Sequence, residues 1–148
     1  MKVAGAAGER AVGARLRRNL MLAWAGIVFA FAVLPTHQLL SATVGERETA
    51  ATQIGHFVEF AVLAVLAARW LAGRRDDRAT PTPIALGVKV WGAVVCYGAT
   101  IEVIQLPLTY RSAQLSDLVI DAAGALAGVL AFSCARGALE RRDRRRFR

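Results

Sequence analysis

Four carboxylates, a histidine, an arginine and a glutamine interrupt segments that are otherwise apolar, and their spacing is that of helix faces. Glu102-x-x-Gln105 closes one segment, Arg111 lies in the connection after it, and Asp117-x-x-x-Asp121 opens the next. His56 and Glu59 open an earlier one. These residue types suit general acid–base chemistry: His56 or Glu59 as base, Glu102 or Asp121 as acid, and Arg111 as partner to a phosphate or oxyanion. The same set, with Gln105 and Asp117 added, would equally bind a polar ligand without reaction. It would also serve as glue between helices, His56 bonding a carboxylate across the bundle and Arg111 holding the outer loop to Asp117 or Glu102. An ionisable side chain at mid-membrane costs about 2.5–3.5 kcal/mol on insertion scales, so each of these groups is expected to face protein, a polar cavity or the interface. The pattern calls for no metal and no cofactor, since it contains neither His-Glu-x-x-His nor Cys-x-x-Cys spacing.

The elements that carry these residues follow from composition. The chain has 148 residues, 55% of them apolar, a mean hydropathy of +0.41 and four long apolar runs. That describes an all-α integral membrane four-helix bundle, with spans at about 20–40, 54–72, 84–106 and 117–135. Net charge is +8 and the isoelectric point about 11.0. The arginines cluster in the leader at 1–19, the loop at 73–83 and the tail at 136–148. The positive-inside rule then puts both termini in the cytoplasm and gives an up-down-up-down topology. Nucleic acid is excluded as a partner because no basic stripe carries interleaved aromatics. The first run is long for the apolar core of a signal peptide, so it reads as a span. Trp24 suits the headgroup boundary, Lys89 is close enough to the inner surface to snorkel beside Trp91, and Cys96 and Cys134 read as small buried thiols.

Rise per residue puts His56, Glu59, Glu102, Gln105, Asp117 and Asp121 within about two helical turns of the outer surface, in one layer fed by three helices. Spacings of three and four residues let each helix aim both polar groups at one axis. Asp117, Asp121, Gly124 and Gly128 continue a single stripe, and the two glycines would let another backbone approach beneath the carboxylates. Four carboxylates in one layer cannot all ionise cheaply and Arg111 neutralises only about one, so at least one of Glu102 and Asp121 is expected to hold a proton near neutral pH, or a cation to occupy the cluster; an Asp121 paired as an anion with Arg111 or His56 would make that account wrong.

At His56 with its aromatic-apolar run, Glu102-x-x-Gln105, Arg111, Asp117 and Gly124, the chain resembles the VanZ-like family of bacterial membrane proteins. The resemblance covers roughly 53–130. Two positions depart from it: Thr52 and Gln53 stand where the family usually has Asp-Lys, and Asp121 where it usually has Asn. The resemblance implies a multi-pass protein of the bacterial plasma membrane, linked to envelope integrity or tolerance of the glycopeptide teicoplanin. The partners expected on this reading are the bilayer and an outer-leaflet headgroup or cell-wall precursor, with a homo-oligomer left open. The alternative is a membrane-embedded hydrolase or transferase acting on an envelope lipid or phosphate ester. Four helices without internal symmetry or a broken helix speak against a monomeric secondary transporter.

Overall fold

Long runs of Ala, Leu and Val without an internal proline form four helices, as the computed structural model records for residues 2–34, 48–74, 82–108 and 115–146. They are α1 (Lys2–Val33), α2 (Glu48–Gly73), α3 (Pro83–Gln105) and α4 (Leu115–Arg146). Local chemistry sets the ends of α3. The Thr82 hydroxyl accepts the Ala85 N–H at 3.2 Å and Pro83 occupies the first turn, where its missing N–H costs nothing. Pro107 follows shortly after the last helical residue.

Each helix contains a stretch long and apolar enough to cross a membrane. In α1 that stretch is Ala11–Val33, which begins nearer the N-terminus than 20–40, and the helix itself continues back through the basic leader to Lys2. The outer end of the expected first span, with Pro35 and His37, lies outside the described residues. At the other terminus α4 runs without a break to Arg146, so the arginine-rich tail is a helical extension of the last span.

Cross-helix contacts fix the directions. His56 meets Asp121, and the glycines at 124 and 128 lie against Phe57 and Ala61, so numbers rise together and α2 and α4 run parallel. The α1–α3 bonds, Ala25 with Tyr97 and Ala32 with Gln105, also rise together. Between α3 and α4 the order reverses, Gly87 lying by Val129 and Gly98 by Asp121. The helices therefore alternate up, down, up and down. α2 packs against all three others, most extensively against α4. Val28, Phe60, Ala64, Val90, Val94 and Ala125 fill the centre.

The outside is apolar as well. Leu16, Leu20, Phe31, Ile84, Val103 and Leu130 are each more than half exposed, a surface that suits lipid tails. The chain is thus a multi-pass membrane protein in contact with a bilayer. Cys96 and Cys134 prove exposed rather than buried, because each lies on a helix face turned away from the bundle, where a thiol meets lipid at little cost. Trp24 and Trp91 also act differently from simple headgroup anchors. Their indole N–H groups donate to the Glu59 and Ala122 carbonyls, each at 3.0 Å, and tie α1 to α2 and α3 to α4. A helix carbonyl keeps a second lone pair for such a bond.

Candidate functional site

The site exists because two backbones nearly touch. A Cβ at Gly124 would collide with the Phe57 carbonyl, and one at Gly128 with the Ala61 carbonyl. Only glycine permits that approach, which is the role expected of the small-residue stripe. With Phe57 held against Gly124, the residue before Phe57 and the residue one turn before Gly124 must face each other. They are His56 and Asp121. The imidazole Nδ1 and the Asp121 Oδ1 are 3.1 Å apart, a pair in which an ionised carboxylate accepts the Nδ1–H.

Asp121 is 2% exposed, so its charge has lost nearly all its water. Burial of an unpaired carboxylate costs several kcal/mol, and a hydrogen bond from His56 offsets part of that cost. Of the two partners the sequence offered Asp121, the structure places His56 beside it. α3 makes room for the other oxygen. A Cβ on Gly98 would stand 3.1 Å from Asp121 Oδ2 and 2.9 Å from the Phe60 ring, so the carboxylate sits over the bare backbone of α3. Gly98 opens the polar stretch in the sequence but carried no expected role at the site. The available signal was a glycine one helical turn before Glu102, in a segment of larger residues.

Beside the pair is a cavity of about 120 Å³. Thr52, Gly55, His56 and Glu59 supply its α2 wall, Asp121 its α4 wall, and Phe31, Ala32 and Ile101 close it with apolar surface from α1 and α3. Thr52 precedes His56 by four residues and so shares its face. With Nδ1 engaged by Asp121, Nε2 is the ring atom through which His56 can act on a ligand or a proton. Carboxylate, imidazole and hydroxyl together suit a small group that donates hydrogen bonds, such as an amine or a sugar hydroxyl.

The remaining candidates are spread around this centre. Gln105 is buried and spends its amide on α1, donating to the Ala32 carbonyl at 2.9 Å. That carbonyl belongs to the last turn of α1, where no intrahelical donor is available. Glu102 is half-buried on α3, one position round from the Ile101 that lines the cavity. Asp117 is half-buried in the first turn of α4, where its charge complements the helix dipole and also acts on His56 and Asp121. Arg111 lies outside the described residues. Among the described residues no three His, Cys, Asp or Glu side chains gather as metal ligands would.

A family model described as VanZ/LLP1 matches residues 17–136, a stretch that includes every residue of the cavity wall. No curated protein and no solved structure matches the chain.

Proposed function

Because the chain belongs to the VanZ/LLP1 family, we propose that it binds the polar part of a cell-envelope component at the His56–Asp121 pair, and through that binding supports envelope integrity or teicoplanin tolerance. The family's name carries a link to glycopeptide resistance. The observation that supports binding is the cavity itself: a buried carboxylate, a histidine and a second acid, Glu59, border open space rather than filling it. In membranes such groups mark function more often than they serve as filler. The volume suits one amine or hydroxyl-bearing group entering from the end of the bundle that lacks the arginine clusters. With both termini cytoplasmic, as the arginine distribution indicates, this is the outer end. The ligand is then an outer-leaflet headgroup or cell-wall precursor, and the membrane is the bacterial plasma membrane.

Complementation of a strain lacking the protein tests this. His56→Gln keeps a donor for Asp121 but loses the imidazole, and it should return teicoplanin susceptibility to that of the deletion strain at unchanged protein level and melting temperature. Full tolerance in that variant would reject the site.

A second reading draws on one feature of the pair. A histidine oriented by a buried carboxylate is the arrangement of a general base and its orienting group. Hydrolysis or group transfer on an envelope lipid or phosphate ester would use His56 as base. Mass spectrometry of lipid extracts separates the two readings, since only the enzyme makes a product that appears with the wild-type chain and is missing with His56→Gln.

A further inference from the structure

At the opposite end of the bundle three arginines from three helices meet on one groove. Arg17 of α1, Arg69 of α2 and Arg136 of α4 line a volume of about 600 Å³. No carboxylate stands among the described residues that line it. Arg136 is held from outside by Glu140 at 2.9 Å. Arg17 is the unusual member. Its guanidinium is pressed onto Gly73, so that a Cβ there would lie 2.7 Å from Cζ, and its Nε is buried with no hydrogen-bond acceptor among the described residues. A buried charged donor without an acceptor is costly, and a turn of the guanidinium toward an anion in the groove would relieve that cost.

The groove does not end at the charges. Val65 and Ala131 belong both to it and to an apolar trough of about 320 Å³ that continues up the α2–α4 seam past Leu66 and Ala127 to Ala61. From Arg69 to Ala61 the track rises about 12 Å at 1.5 Å per residue. That is close to the depth of one leaflet, half of a hydrocarbon core about 30 Å thick. A cationic foot under a leaflet-deep apolar track matches one kind of molecule. We propose that the groove between α1, α2 and α4 holds one anionic phospholipid, its phosphate among Arg17, Arg69 and Arg136 and an acyl chain along the α2–α4 seam. Arginine suits this task because its planar fork binds phosphate oxygens in pairs. Convergence from three helices distinguishes the site from the diffuse attraction that any basic loop has for an anionic leaflet. It lies away from the His56–Asp121 cavity and does not depend on the function proposed there.

Native mass spectrometry of the purified full chain, titrated in detergent with dioleoyl phosphatidylglycerol, dioleoyl phosphatidylcholine or inorganic phosphate, tests the proposal. One phosphatidylglycerol should be retained in preference to phosphatidylcholine. Arg17→Gln with Arg69→Gln should weaken it by about tenfold or more, whereas Arg141→Gln with Arg142→Gln, in the tail beyond the groove, should not. Ala131→Phe, which fills the track and leaves every charge in place, should also weaken it, and so provides a test even if the double variant misfolds. Equal retention of phosphatidylcholine, or equal loss with the tail variant, would overturn the site. Phosphate alone displacing the lipid at similar concentration would show that the chain contributes nothing and would reject the lipid as occupant.

Discussion

Gly124 of α4 lies against the backbone carbonyl of Phe57 of α2, so close that even a methyl group has no room. This contact sets the register of the two parallel helices and brings His56 to Asp121. Gly124→Ala should therefore destabilise the bundle by about 1–3 kcal/mol through overpacking and should also reduce teicoplanin tolerance. Gly137→Ala is the control, since nothing stands within 4 Å of its added Cβ. Melting curves in detergent that are the same for both variants would show that the close approach is not needed.

The bond between His56 and Asp121 should appear as coupling. In a double-mutant cycle with His56→Ala and Asp121→Ala, each of which removes the bond, unfolding free energies should deviate from additivity by about 1 kcal/mol, the scale of interhelical hydrogen bonds in membranes. Asp121→Ala should cost more than Asp121→Asn, because it also leaves His56 facing an empty space. Strict additivity would mean the two side chains do not share a bond.

Glu59 and Glu102 should behave differently although both are half-buried acids. Glu59 lines the cavity and Glu102 does not. Glu59→Gln is expected to lower teicoplanin tolerance more than it lowers melting temperature, and Glu102→Gln to change the two in step. If Glu102→Gln abolishes tolerance in a fully stable protein, the ligand site extends beyond the cavity toward α3.

Gln105 should be structural. Its amide satisfies the Ala32 carbonyl, so Gln105→Leu should cost about 1–3 kcal/mol by leaving that acceptor without its donor. Tolerance should fall only as far as the folded fraction does. A stable but intolerant Gln105→Leu protein would restore Gln105 to the ligand site.

Topology is open to labelling. In a background with Cys96 and Cys134 replaced, a cysteine at Glu46 or Ser112 should react with an impermeant maleimide from outside the cell, and one at Asp77 should not. The reverse pattern would turn the cavity to the cytoplasm.

Four apolar runs, their alternation and the stripe through Asp121, Gly124 and Gly128 were legible in the sequence because each is a matter of length or period along one chain. What joins the helices was less so. Asp121 could be recognised as a buried acid, but His56 and Arg111 were equal candidates for its partner until the α2–α4 register was known. The bond of the Gln105 amide to the Ala32 carbonyl was not legible, because no sequence pattern marks which carbonyl of another helix a side chain will meet. The same is true of Trp24 and Trp91, whose indole partners are backbone atoms. Cys96 and Cys134 were misread because in a membrane bundle an apolar context does not separate inward from outward faces.

The pairing of α2 with α4, rather than with a sequence neighbour alone, gives assembly an order in time. His56 precedes Asp121 by 65 residues, which at roughly 5–20 residues per second is about 3–13 s of synthesis. During that interval α2 is already made while the carboxylate that hydrogen-bonds its His56 is not. Chains stalled before Leu115 are thus expected to turn over faster in pulse–chase experiments than chains that have passed Arg136. Quality-control proteases in the membrane would have a chemical mark to recognise, an imidazole without its acid, which disappears when the last helix docks.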